Sequence, residues 1–280
     1  SNLTAEHSGF SWKGKVQALQ KANDTAINLE GTLAIKDAQA TSQTFNLLQE
    51  ALNWKGRVDL NLPKENTGLS VKTDGRMEGG RFDFKMPVEK LNTRYEGLQW
   101  EGIIEYRAAE NDSRINLDGT LNMDALAFES PDAAATEKRI EWNGSLGAFL
   151  PQSEQKPGIQ LNGRLNLGEL DLAVPGSQLA ILQDSLTWEG PLDYGEVPQQ
   201  APVSGTGKLL LQNLRVTDIQ KTYLLMASKT ISADALRLVN SSGISGKTLS
   251  IGGLEVLKSQ QAGTKTPLLR AGSISVQGFD

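Results

Sequence analysis

Every tryptophan in the chain stands in the same tripeptide, Trp-x-Gly: Trp12/Gly14, Trp54/Gly56, Trp100/Gly102, Trp142/Gly144 and Trp188/Gly190. The steps between them are 42, 46, 42 and 46 residues. A second motif, apolar-x-Leu-x-Gly-x-Leu, is interleaved with the first and is clearest over residues 27–33, 115–121 and 159–165. Its central glycines, Gly31, Gly75, Gly119, Gly163 and Gly207, are 44 apart at every step. A fixed period of this size means an array of like supersecondary units, each burying its apolar face against its neighbours.

Within each unit the apolar period is 2. Leu52, Trp54, Gly56, Val58, Leu60 and Leu62 alternate with Lys55, Arg57, Asp59 and Asn61, the pattern of a strand with one wet face. The second motif behaves likewise until its end, where apolar parity slips by one residue: Leu165 and Leu167 give way to Leu170 and Leu172, Met77 to Phe82 and Phe84, Leu121 and Met123 to Leu126 and Phe128, Leu209 and Leu211 to Leu214 and Val216. A slip that keeps the same face apolar predicts a β-bulge, which bends the strand and increases its twist.

Pro87, Pro131 and Pro175 are again 44 apart and predict turns at the ends of the bulged strands. Polar loops are expected on the other side at Lys64-Glu65-Asn66, Glu110-Asn111-Asp112 and Gln152–Gln155, with later turns at Thr217-Asp218, Ser241-Ser242-Gly243 and Gly263. Centring the hairpin loop on residues 64 and 65 sets Trp54 opposite Gly75, and Trp142 opposite Gly163 in the same way, an indole shielding bare backbone.

The reading is an all-β chain of about eleven strands in an up-and-down antiparallel meander, since short loops join antiparallel neighbours. Residues 1–280 form one repeat domain, regular over 8–217 and degenerate over 218–280. The chain opens Ser1-Asn2 without an initiator Met and is read as a fragment of a longer protein. A one-sided sheet of this size must curl, split or be covered. Of a closed barrel, a two-layer sandwich and an elongated open groove, the recurrent bulges favour the groove, with an apolar floor, no polar groups aimed inward and room for acyl chains. The lining residues are then Trp54, Val58, Leu60, Trp100, Leu117, Leu121, Trp142, Leu161, Leu165, Trp188 and Leu192.

The strand pair at Ile115 to Leu121 with Ile140 to Leu146, repeated at Ile159 to Leu165 with Leu186 to Leu192, resembles the AsmA-like proteins of Gram-negative cell envelopes, their large members of unassigned function most of all. The tail, residues 249–256 with Ile274-Ser275-Val276, is similar to that family's C-terminal pattern. The resemblance implies a taco-shaped β groove in the periplasm, anchored to the inner membrane by a segment outside this sequence. It also implies phospholipid or another acyl-chain lipid as ligand, a part in lipid movement between the membranes or in outer-membrane maintenance, and inner- and outer-membrane proteins as partners. The competing expectation is a scaffold with a closed, dry core whose edge strand pairs with an outer-membrane protein and assists its assembly.

Several classes are disfavoured by composition. With 28 Lys plus Arg against 33 Asp plus Glu the net charge is −5, which supplies no basic field for nucleic acid. There is no Cys and only one His, His7, expected to be a solvated loop residue. No nucleophile elbow, zinc-protease or phosphate-loop motif occurs, so neither catalytic residues, metal nor cofactor are expected and the chain is read as a non-enzyme. The nearest acid pair, Glu169 and Asp171, sits on the polar parity like Asp59 and Asp83, as solvated charges do.

Overall fold

A computed structural model describes residues 3–20, 24–63, 68–108, 112–151, 158–195, 203–239, 243–257 and 267–279. The strands are β1 (Thr4–Gln20), β2 (Asp24–Thr41), β3 (Asn46–Gln49), β4 (Leu52–Pro63), β5 (Ser70–Gly79), β6 (Phe82–Met86), β7 (Leu91–Ala108), β8 (Asp112–Glu129) and β9 (Ala134–Pro151). They continue as β10 (Gly158–Leu167), β11 (Leu170–Val174), β12 (Leu179–Gln183), β13 (Ser185–Tyr194), β14 (Val203–Asp218), β15 (Leu224–Val239), β16 (Gly243–Leu257) and β17 (Pro267–Phe279). All seventeen belong to one antiparallel sheet, and the described residues contain no α-helix.

Four long strands are broken in the middle, giving the successive segments β3/β4, β5/β6, β10/β11 and β12/β13. The meander therefore has thirteen full-length strands rather than about eleven. The difference lies after Asp218, where Trp-x-Gly is absent but β15, β16 and β17 still pair in order. No register joins β1 to β17 among the described residues, so the sheet is an open groove with two free edges.

The parity slips are bends, but the expected bulges are corrected: no strand gains an extra residue there, since Leu52 faces Gly79 and Gln49 faces Phe82, and Ile140 faces Leu167 and Glu137 faces Leu170, in one unbroken register, so neighbouring strands kink together. Two of the bends fall at the breaks between Gly79 and Phe82 and between Leu167 and Leu170. Within unbroken strands, Ala125 and Asn213 take left-handed φ values of 54° and 52°, as does Asp37 at 47°. Residues 37, 81, 125, 169 and 213 thus mark one bend per period. The turns beyond them close as the prolines predict: the N–H of Lys90 donates to the Pro87 carbonyl (3.3 Å), Ser130 to Ala133 (2.8 Å) and Gln178 to Pro175 (3.1 Å). After Thr217-Asp218, the Asp218 N–H donates to the Tyr223 carbonyl at 3.0 Å. At the opposite rim, residues 64–66, 110–111, 152–155, 241–242 and 263 lie outside the described residues, while Asp112 and Gly243 begin β8 and β16.

The Trp–Gly register requires a correction of two residues. Trp54 faces Met77, and Trp142 faces Leu121 and Leu165; Gly56 instead faces Gly75, and Gly144 faces Gly163. Glycine opposes glycine because this is where the two strands of each hairpin come closest. A Cβ on any of the ten motif glycines would lie 2.1–2.4 Å from a carbonyl oxygen of its hairpin partner. At Gly163, φ is 152° and that oxygen is Asn143 O, at 2.2 Å. Indole over glycine survives on the diagonal: a Cβ on Gly207 would meet Trp188 Cζ2 at 2.6 Å.

The sealed core is thin. Only seven apolar residues among those described are buried, the largest being Trp100, Trp142 and Trp188. Most inward leucines stay half-buried, as befits a curled sheet rather than a closed sandwich.

Gly163→Ala should lower stability by about 2 kcal/mol or more, since its backbone is left-handed and its added methyl has no space. Gly144→Ala should do the same. The double variant, read by chemical denaturation, should cost less than the sum by about 1 kcal/mol, because one methyl already parts the strands. Strict additivity would exclude the close approach.

Candidate functional site: the apolar trough

Two rows of side chains flank the glycines and run across the strands. On one side the register carries Trp12, Leu33, Trp54, Met77, Trp100, Leu121, Trp142, Leu165, Trp188 and Leu209 in unbroken succession. On the other it carries Val58, Thr73, Ile104, Leu117, Leu146, Leu161 and Leu192. The indoles reach across the intervening leucine: Trp12 stacks on Trp54 at 6.3 Å and Trp100 on Trp142 at 6.2 Å, the two pairs separated by the 42-residue step.

A cavity of about 310 Å³ occupies the floor between these rows, from Met77 on β5 to Leu192 on β13. Small-molecule sites commonly enclose roughly 300–1,000 Å³. Every residue around it is apolar or glycine. Eight of the eleven lining residues expected from the sequence meet there: Trp100, Leu117, Leu121, Trp142, Leu161, Leu165, Trp188 and Leu192. Trp54, Val58 and Leu60 do not, because they lie on β4, beyond the end of the cavity. Ile104, Ile140 and Leu146 complete the lining and follow the same alternation.

Six strands contribute, and at about 4.8 Å per strand the floor is roughly 24 Å long. The hydrocarbon of one bilayer leaflet is about half of ~30 Å, so the floor is longer than an extended acyl chain of that leaflet. The outer face is charged and exposed, with Arg57 paired to Asp59 at 2.8 Å and Arg76 to Glu78 at 2.7 Å. Glu169 pairs there with Lys138, and Asp171 with Lys221. Asp83 departs from the expected solvated charge: it is buried and held by Arg81 at 2.6 Å.

The expectation of an inner face without polar groups also fails, at Thr73 in the second of these rows and along a third row. His7, Ala38, Gln49, Phe82, Tyr95, Leu126, Glu137, Leu170 and Gln183 are successive cross-strand partners. They share the face of Leu126 and Leu170, so every second position on that face is polar. Ser228 holds the matching place on β15, opposite Leu214. In the Trp repeats this residue stands five before the tryptophan, just ahead of the bend, a spacing visible in the sequence but masked by the change of residue type: His, Gln, Tyr, Glu, Gln.

The strands kink here, and these side chains bond backbone groups at the kinks. Gln49 Nε2 donates to the Glu50 carbonyl at 2.8 Å and accepts at Oε1 from Tyr95 OH at 3.1 Å. Ser228 Oγ bonds the Thr230 and Gly252 carbonyls at 3.0 and 3.1 Å. Gln183 Nε2 reaches the Gly168 carbonyl at 3.4 Å, and Glu137 Oε1 accepts from the Arg139 N–H at 3.4 Å. Two acceptors are left over. Glu137, 5% exposed, has no partner for Oε2, and Gln183, 4% exposed, has none for Oε1. Burial, reinforced by the nearby Glu169, holds the Glu137 carboxyl above the usual glutamate range against the pull of backbone N–H groups.

The fold and its lining define a class, the open all-β repeat trough. Comparisons with protein-family models, with curated proteins and with solved structures gave no match.

A carboxyl whose folded pKa is raised contributes stability that is fully present below its unfolded value and lost as the pH rises through the folded one. Glu137→Gln should therefore raise the thermal midpoint at pH 7, by about 2–4 °C for each kcal/mol of relieved charge burial. The gain should disappear below the ordinary value of 4.5. A midpoint gain that does not depend on pH would rule out charge burial as its cause.

Proposed function

We propose that this protein binds phospholipid or another acyl-chain lipid in its trough, and that it acts as a lipid conduit or holding surface in the cell envelope, between the inner and outer membranes. The observation that carries the reading is the continuous apolar lining from Met77 to Leu192, long enough for an acyl chain and half-exposed at its leucines. Apolar surface left accessible in this way is stabilised by an apolar occupant at about 25 cal/mol per Å² covered. Supporting it is the resemblance of the strand motifs to AsmA-like envelope proteins, which also suggests the periplasm and the anchoring. The competing role, docking by strand addition, has its own support in β1, a free edge whose Phe10, Val16 and Leu19 are 61%, 60% and 56% exposed.

Photo-crosslinking side chains placed at Leu121 and Leu165 should capture phospholipid from vesicles or from the envelope, whereas the same groups at Arg57, Asn162 and Arg164 on the outer face should not. Equal labelling of both faces, or of neither, would remove the conduit and leave the docking scaffold.

A further inference from the structure

Strand β1 pairs with β2 on one side, and its other side has no partner among the described residues. Three rows of the floor end on it: Phe10 in the row of Ile35 and Leu52, Trp12 in that of Leu33 and Trp54, and Val16 in that of Leu29 and Val58. Phe10 and Val16 are exposed, whereas Leu52 and Val58, at the same places on a strand with two neighbours, are half-buried. The glycine line ends there too, at Gly14. On the outer face Lys15 follows Gly14 as Arg57 follows Gly56. Arg57 lies between Glu30 on β2 and Asp74 on β5, an acid on each side, while Lys15 faces Glu30 on its one paired side. Both acids stand immediately before a glycine of the line, Gly31 and Gly75. A lysine on a free edge can serve simply to repel other edges. Arg57, however, holds this place on a fully paired strand, so the cation belongs to the pairing pattern of the repeat.

We propose that the free side of β1 is an acceptor for one more polypeptide strand of the chain's own glycine-centred type, antiparallel and with its glycine opposite Gly14, so that a further unit of the same array carries the trough past β1. This surface is independent of whether the trough holds lipid. Residues 115–123 show what fits. With Gly119 opposite Gly14, Leu121 meets Trp12 and Leu117 meets Val16, as Leu121 meets Trp100 and Leu117 meets Ile104 within the protein. Asp118 then faces Lys15, an opposite-charge pairing across strands like those of Arg57 with Glu30 and Asp74. A second copy of this chain fits worse. Its glycine-centred strands β2, β5, β8, β10 and β14 are already paired on both sides. Two β1 edges in the same register set Lys13 against Lys15 twice. The other edge, β17, has Ala271 before Gly272 and brings Lys15 no charge.

The test uses the unaltered whole chain and a fluorescently labelled peptide of residues 112–124, read by anisotropy, with hydrogen exchange locating the contact. The peptide should bind and slow exchange at β1 amides, and Gly119→Val in the peptide should abolish binding. Asp118→Lys in the peptide should weaken binding about fivefold, the worth of turning one cross-strand attraction into a repulsion. With Lys15→Glu in the protein the order of the two peptides should invert by about the same factor. A lysine that only repelled edges would leave that order unchanged. No binding, binding that survives Gly119→Val, or protection elsewhere than on β1 overturns the acceptor. Dimerisation of the unaltered chain through β1, read by sedimentation, overturns it in favour of a second copy. The peptide variants are read on the unaltered protein, so a Lys15→Glu chain that failed to fold would leave those outcomes standing. None of these results bears on lipid in the trough, which the crosslinking experiment tests separately.

Discussion

The contact on which this architecture depends is the approach of two glycine backbones within each hairpin. No side chain larger than hydrogen fits there, since an added methyl group would overlap a carbonyl oxygen of the facing strand. Repeated at Gly14/Gly31, Gly56/Gly75, Gly102/Gly119, Gly144/Gly163 and Gly190/Gly207, the contact makes a line of close approach across ten strands. Everything on the floor takes its position from that line. Two residues to one side come the tryptophans and leucines, two to the other the aliphatic row, and the cavity lies between them. The indoles cover backbone that the missing side chains leave bare, which is why the largest buried groups of the protein stand beside its smallest.

The bends impose a second constraint with the opposite chemistry. Neighbouring strands kink together there without losing register, and the regular ladder is replaced by a few backbone bonds such as Glu50 N–H to the Arg81 carbonyl and Gly168 N–H to the Arg139 carbonyl. Backbone carbonyls at the bends also accept from polar side chains, as those of Glu50, Gly168 and Gly252 do from Gln49, Gln183 and Ser228. Curvature and polarity are thus linked: a one-sided sheet that curls by periodic kinks acquires a polar line parallel to its apolar floor. The amphiphilic cross-section follows from the bending, before any ligand is considered.

Much of this is written in periodicity. The 44-residue step, the alternation of Leu52 to Leu62 and the slip from Leu167 to Leu170 point to hairpins, faces and bends that the structure contains, although the bends are kinks shared by neighbouring strands and not bulges of one. Register was harder to read. Counting from an assumed loop centre set Trp54 against Gly75, whereas steric demand sets glycine against glycine. Moving the centre of the hairpin by one residue shifts every partner by two, and only the absence of Cβ atoms on both strands reveals which register is allowed. The polar row is not legible in alternation by residue class, which treats Tyr95 as aromatic and Glu137 as a surface charge. What they share is a position relative to the bend, which composition does not display. The later strands lack Trp-x-Gly and are held instead by a smaller apolar cluster in which Ala233, Leu236, Leu249 and Phe279 pack with Trp188.

A floor built from one repeating row is nearly uniform along its length. Leu117, Leu161 and their neighbours present the same surface at each step, so successive places along the floor are chemically alike. The polar row is not uniform, since successive repeats place His7, Gln49, Tyr95, Glu137 and Gln183 at the same site. Whatever distinguishes one position in the trough from the next must therefore come from that row. Glu137 is the one carboxylate in it, and its burial ties the stability of the fold at that position to pH.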